Sequence, residues 1–586
     1  MRKLILLLTL CSIYNVNILQ AQSENIEECA ANILHKELME NDPIYATRIA
    51  KTELKLKSLT QDASRSTNGT VYQIPVVVHV IHNGEAEGVG ANISMTQINS
   101  AIDRMNNRYR NLHGSSIDTE IEFVLAQRDP SGNATTGVVR VDGSGITDYA
   151  TKGIGTTVGS SVGANQIDVK NLSRWSNVDY YNIWVVTEIN DNDGLYGTQG
   201  YAYFPGASPE YDGTVIMNTC FGTTGTVNSF NNQGRTLVHE LGHGFNLYHT
   251  FQGDDADPGA GYTAQCPADT DCSTGDCVSD TDPHQRASSN CPNGTNTCTG
   301  SSIVDETNNF MNYSNQSCAL EFTAGQSTRM RSAIIASRPA LTTSLGGTAP
   351  AASSVIATTC TPTTSNTVNG FGLGIYRVNL NNIDAVSDGT EDEGDYIDHT
   401  RHQTISVEEG SSHTITIETG GANPENVVVY IDYNNDGDFL DANETVFTST
   451  NNTTHSGTIN IPSSGITTDT LLRMRVISDF VNFTISDACY NPNYGQTEDY
   501  AIEISSTLSI GDVDLNNIAV YPNPTSNILN IKGLTVDSNI EVYSITGQLL
   551  MSDFVQSTNA KLDVSSLSSG IYMVNINNHI VKFVKQ

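Results

Sequence analysis

Residues 235–249 read Arg-Thr-Leu-Val-His-Glu-Leu-Gly-His-Gly-Phe-Asn-Leu-Tyr-His, and no other stretch constrains the chain as much. His239 and His243 stand four apart, so on a helix both project from one face about a turn apart. Two imidazoles so placed can take two corners of a tetrahedron around Zn2+. Glu240 falls beside the ion, where a carboxylate can take a proton from water and deliver it to a leaving amine. His249 lies ten residues beyond His239. If the helix ends at Asn246, the chain must turn through positive φ for His249 to reach the same ion. Asn adopts that conformation most readily after Gly. Leu237, Leu241, Phe245 and Leu247 read as core around these groups. A closed structural zinc site needs four protein ligands and no adjacent base, so Glu240 favours a catalytic site over a structural one.

Length and charge bound the rest. A chain of 586 residues exceeds one compact domain. Its 29 Lys and Arg stand against 64 Asp and Glu, a formal net charge of −35 that repels nucleic acid and anionic lipid surfaces. Arg2 and Lys3 precede an apolar run from Leu4 to Ile13, and Ala21 offers a small residue for cleavage. This reads as a removable signal peptide over residues 1–21, too short to span a bilayer. No other segment approaches the roughly 18 unbroken apolar residues of a transmembrane helix. Seven of the eleven cysteines crowd between Cys220 and Cys318, with Cys360 and Cys489 beyond, and in an exported chain this reads as disulfides.

Residues 24–60 are charged and helix-prone. From Val71 the texture changes. Ile74–Ile81 is a buried-strand run, Met95–Tyr109 an amphipathic helix, and further strands are expected at Ile121–Gln127, Asn182–Val186 and Thr214–Asn218. This pattern predicts an α+β domain to residue 341, with 342–359 of linker composition. Residues 360–506 and 510–586 are rich in short alternating runs and predict two β-sandwich domains.

The His-Glu-Leu-Gly-His segment with Leu-Tyr-His-Thr resembles the metzincins, and most closely the pappalysin/ulilysin (cytophagalysin) family, which usually has Gly where this chain has Asn246. Two further segments are similar to that family. Asn309-Phe310-Met311-Asn312-Tyr313 resembles its Met-turn, and Phe322-Thr323-Ala324-Gly325-Gln326, leading to Arg329 and Met330, resembles its closing segment. The resemblance covers about residues 25–340 and implies a zincin (metzincin) catalytic domain over 66–341, a secreted zinc metalloendopeptidase acting on protein and peptide substrates. It implies His239, His243 and His249 as Zn2+ ligands, Glu240 as base, Met311 as a hydrophobic floor and Tyr313 as donor to the oxyanion. It also implies cleavage before Arg or Lys. Residues 22–65 are similar to the family's propeptide. There Cys29 would hold a zymogen inactive by occupying the metal, until cleavage near Ser64-Arg65, a disulfide with the odd cysteine being the alternative.

Gly275-Asp276-Cys277-Val278-Ser279-Asp280-Thr281-Asp282-Pro283 resembles the family's loop after the third histidine, with one extra Asp. Relatives bind structural Ca2+ there, so Asp276 and Asp280 are candidate ligands, a solvated acidic loop being the alternative. The family's disulfides suggest Cys291–Cys318, and Cys298 with Cys272 or Cys266. Cys277 is a further candidate, and an odd seven leaves Cys220 or another over.

Asp432-Tyr433-Asn434-Asn435-Asp436-Gly437-Asp438 spaces oxygen ligands at alternate positions around a Gly, with Glu444 out of EF-hand register. This predicts a Ca2+-stabilised turn between strands. With Gly495-Gln496-Thr497-Glu498-Asp499-Tyr500, the block is similar to a GEVED domain. Val520-Tyr521-Pro522-Asn523-Pro524-Thr525 and Leu567-Ser568-Ser569-Gly570-Ile571-Tyr572 are similar to the C-terminal sorting domain of the type IX secretion system of Bacteroidota. That resemblance implies export across both membranes, with the secretion machinery as partner and a secreted or surface-attached product.

Overall fold

In the computed structural model, residues 29–62, 70–114, 116–156, 162–192, 197–254, 275–286, 291, 295–296, 298–300, 307–350, 355–366, 371–387, 389, 394–506, 519–534, 538–576 and 579–586 are described. The expected signal peptide, Ser64-Arg65, Cys266 and Cys272 lie outside them. Strand β1 (Tyr72–His82) is buried over eight consecutive residues, Ile74–Ile81, with apolar side chains on both faces. A strand covered on both sides belongs at the centre of a parallel sheet. There it pairs in parallel with β2 (Ile121–Leu125), β3 (Val138–Asp142) and β4 (Tyr181–Val186). Strand β5 (Gly200–Ala202) is an edge strand, antiparallel to β6 (Thr214–Met217), which in turn pairs with β4.

Parallel neighbours need crossovers, and helices supply the cover. The N-terminal helices are α1 (Ala31–Asn41) and α2 (Pro43–Asp62). Helix α3 (Met95–Tyr109) starts where the Ser94 side chain accepts from Gln97 N, and it buries Ile98, Ala101, Ile102 and Met105. Two short helices follow, α4 (Tyr149–Lys152) and α5 (Gln166–Lys170), before α6 (Arg235–Gly244) and α7 (Ala324–Ser337). Every residue of α6 is buried. Cys29, Leu34, Tyr45 and Ile49 join the same apolar core as β1, β4 and α6, so the N-terminal segment is packed into this module.

Residues 342–350 do not hang as the linker their composition suggests. Ser344 Oγ donates to the Asp179 carbonyl, Gly346 O accepts from Gln127 N, and Leu345 N donates to His402 O. Composition misleads here because small polar residues also suit a tight, backbone-bonded connection. The described residues up to Ser505 form one compact unit.

Between Ile375 and Ser505 a six-stranded and a four-stranded sheet share one core, to which Ile375, Ile417, Val429, Met474 and Ile502 contribute. Asp499, fully buried, accepts from Arg473 and Arg475 and from the Tyr396 hydroxyl. Cys360–Cys489 closes a separation of 129 residues. The second unit, Ser506–Gln586, has its own core of Leu529, Ile531, Val542, Val574 and Phe583, beneath a three-stranded and a four-stranded sheet.

Removing one member of a buried charge network leaves the others uncompensated, typically at a cost of about 3–5 kcal/mol. Asp499→Ala is therefore expected to lower the unfolding temperature of the first unit, while Val581→Ala, in the second unit, leaves that transition in place. Calorimetry of the full chain with separate transitions checks this.

Candidate metal centre

Helix α6 ends in a left-handed turn. Asn246 has φ +74°, its N–H donates to the His243 carbonyl at 2.9 Å, and Leu247 N donates to Gly242 O at 2.8 Å. This pair of bonds is the Schellman closure that reverses a chain after a helix. It carries His249 back to the face that bears His239 and His243. The three Nε2 atoms lie 3.1, 3.2 and 3.2 Å apart. For metal–nitrogen bonds of about 2.0–2.1 Å, the edge of a tetrahedron is about 3.3 Å.

The other ring nitrogens are engaged. His239 Nδ1 donates to Phe310 O at 2.8 Å, His243 Nδ1 to Leu247 O at 2.7 Å, and His249 Nδ1 lies 2.7 Å from the Asn32 side-chain amide. A proton held at Nδ1 of His239 and of His243 leaves their lone pairs on Nε2, whereas His249 Nδ1 faces the Asn32 amide N–H. Burial holds His243 down to about 4 and pushes His239 and His249 well below the usual histidine range. All three are neutral and able to ligate near pH 7. The donor set, spacing and protonation fit Zn2+.

Glu240 is fully buried, and its Oε2 accepts from the Cys29 thiol at 3.1 Å. Cys29 Sγ and the three imidazoles offer ligand atoms all within 4.8 Å of one another. Cys29 pairs in parallel with Gly200 on the edge strand β5, and Ala30 N donates to Gly200 O. Tyr313 directs its hydroxyl to the Cys29 carbonyl at 3.4 Å, and its ring lies 4.8 Å from that of His249. Met311 is buried under Gly242, where a Cβ would meet its Sδ at 2.4 Å. Cys29, Glu240, His239, His243, His249, Met311 and Tyr313 are thus brought together.

Other neighbours carried no motif. Asn32 contacts both His249 and Gln252 from α1, three residues after Cys29. Arg286 stands over the Tyr313 ring at 4.4 Å, and Arg235 donates to the Asn312 carbonyl.

The proposed calcium ligands separate into two kinds. Asp276 is buried, accepts from Val278 N and the Thr281 hydroxyl, and is pushed up to about 7 by burial. Asp280 accepts from the Thr323 hydroxyl and Gly325 N at the start of α7. Both are bound by protein donors. Asp436, Asp438 and Asp441 instead cluster within 4.8 Å, while Asp432 accepts from Asp436 N and Gly437 N, and Asn434 donates to Asp436 and Asp441. Cys291–Cys318 is a disulfide, and Cys277 and Cys298 are each disulfide-bonded. Cys220 is buried and accepts from the Asn231 amide.

This sheet, helix and histidine set define a domain of the metallopeptidase class. The model of the family described as pregnancy-associated plasma protein-A, peptidase M43, matches residues 163–335. Residues 426–503 match a GEVED domain and residues 519–586 a secretion system C-terminal sorting domain. An extracellular metalloprotease of Sordaria macrospora is 35% identical over 198 residues, which cover 31% of this chain and 59% of that protein. One of Arthroderma benhamiae is 26% identical over 279 residues, covering 47% of this chain and 82% of that protein. The chain thus spans less than two thirds of the Sordaria protein. Among solved structures, a Tannerella forsythia promirolysin mutant is 29% identical, with 54% of this chain and 97% of that one covered and a TM-score of 0.42. Mature mirolysin with a cleaved peptide is 31% identical, with 45% and 91% covered and a TM-score of 0.35.

Gly242→Ala is expected to displace Met311 and tilt the turn that follows. Zinc content by atomic absorption should fall below one per chain, whereas Ala333→Gly on α7 should leave it unchanged.

Proposed function

We propose that this chain is the latent precursor of an exported zinc metalloendopeptidase, a metzincin-type zincin followed by two β-sandwich modules, acting on extracellular proteins. The observation that carries this reading is the convergence of three Nε2 atoms beside the fully buried carboxylate of Glu240. His239, His243 and His249 would hold Zn2+ through those atoms. Bound there, Zn2+ supplies Lewis acidity toward a scissile carbonyl and toward water. Glu240 takes the proton of the attacking water and returns it to the leaving amine. The Tyr313 hydroxyl donates to the carbonyl oxygen as negative charge grows on it. Met311 fills the floor below α6.

Cys29 is assigned the latency role. Its thiol occupies the space between Glu240 and the imidazoles that water and substrate need, and a thiolate is itself a good Zn2+ ligand. Cleavage near Ser64-Arg65 would release it. The reading includes preference for Arg or Lys after the scissile bond, which peptide-library profiling tests. It includes Ca2+ at the Asp432–Asp438 loop, where the Asp436, Asp438 and Asp441 cluster offers the ligands, and at Asp276 and Asp280. The sorting domain fits delivery by the type IX secretion machinery to the exterior or cell surface.

Purified, processed wild type should hydrolyse casein and lose activity to a chelator. Glu240→Ala should reduce the rate by about 100- to 10,000-fold with zinc content unchanged. Equal rates for the two would remove Glu240 from the mechanism. Cys29→Ala precursor should hydrolyse casein without prior cleavage, and a fully latent variant would exclude the thiol from the block.

A further inference from the structure

Asn246 replaces the turn glycine expected by resemblance, and the side chain this adds is in use. Asn246 Nδ2 donates to Glu53 Oε1 at 3.1 Å. Arg329 on α7 donates from Nη2 to the same oxygen at 2.6 Å and from Nη1 to Glu53 Oε2 at 3.3 Å. Its Nε donates to the Asn246 carbonyl at 2.8 Å. The guanidinium also lies over the Tyr248 ring, 5.4 Å from its centroid. The Arg329 side chain is 7% exposed and that of Glu53 16%.

The two sides of this contact have different fates under the reading proposed above. Glu53 belongs to α2, within the segment expected to be cut away, whereas Asn246 and Arg329 belong to the metal-bearing module. A carboxylate held by both arms of a guanidinium and by an amide, largely shielded from water, makes a strong and directional contact. Glycine at position 246 would keep the left-handed turn but offer no side-chain donor. Elsewhere α2 is held by the buried Tyr45, Ile49 and Leu56, and by Lys55 Nζ donating to the Ile335 and Ala336 carbonyls. Thr52 reaches the Ser337 hydroxyl, and Lys51 pairs with Glu418 as a largely exposed cation.

We propose that Arg329 and the Asn246 side chain form a carboxylate-binding site on the turn that delivers His249. Glu53 fills this site in the precursor and anchors residues 29–62 independently of Cys29. The biological meaning of the anchor rests on the latent-peptidase reading, but the contact itself does not depend on catalysis.

The test is hydrogen–deuterium exchange of the α2 amides in the full-length, zinc-loaded chain, with Glu240→Gln as common background so that the precursor is not consumed. Glu53→Gln is expected to speed α2 exchange about tenfold and Asn246→Gly about threefold, with the double variant no faster than Glu53→Gln alone. Cys29→Ser should leave α2 protected while loosening the start of α1. Unchanged α2 exchange in Glu53→Gln overturns the anchor, and multiplicative effects in the double variant overturn the assignment of Asn246. If Asn246→Gly loses zinc, Glu53→Gln decides the anchor and Asn246→Asp the side chain, since Asp keeps the turn and sets a carboxylate against Glu53. Faster α2 exchange in Asn246→Asp supports the site; unchanged exchange overturns it. A chain whose α2 responds as expected but whose processed form never cleaves casein would overturn the peptidase reading and leave the anchor standing.

Discussion

Three imidazole nitrogens crowd one buried point, and the surrounding module holds them there. Two of the three rings are fixed from behind by backbone carbonyls, of Phe310 and Leu247, so the module's own folding sets their orientation. Phe310 lies next to Met311, and Leu247 closes the turn after α6, so the same segments that orient the rings also form the floor and the reversal. A helix buried on every side needs small residues where others cross it. Gly242 admits Met311, and Gly244 admits Tyr181, whose hydroxyl a Cβ would meet at 2.0 Å.

The third ring is different. His249 Nδ1 meets Asn32, which belongs to the N-terminal segment. That segment therefore touches the centre at three depths: Cys29 at Glu240, Asn32 behind His249, and His35 against Phe204, whose ring packs on His243. Cover of this kind changes both access to the centre and the partner of one ligand.

Local spacing made the centre legible. His239, Glu240 and His243 are read from helical periodicity, and the turn at Asn246 from the few residues that tolerate positive φ. Met311 and Tyr313 became legible only through resemblance, because nothing within their own segment points to a metal 62 positions upstream. Asn32, Arg286 and the Glu53–Arg329 pair left no trace. The last joins residues 276 apart, and such pairings are set by packing, not by pattern. The α3 helix and the β1 run were plain in the sequence, while the small polar residues at 342–350 concealed a packed connection behind a linker composition.

Charge gives the reason to weigh the Glu53 contact as more than incidental. With 29 basic residues against 64 acidic ones, a cation is scarce in this chain and most carboxylates must remain in water. Several buried guanidiniums are nonetheless committed to carboxylates: Arg338 to Asp212, and Arg473 and Arg475 to Asp499, each outside the N-terminal segment. Arg329 belongs to the same buried group, but its carboxylate comes from the N-terminal segment. Desolvating a charge is costly, and the cost falls if the partner leaves and water returns. Under the proposed release of the N-terminal segment, such a pair would hold tightly while both members are present and would return Arg329 to water once Glu53 leaves.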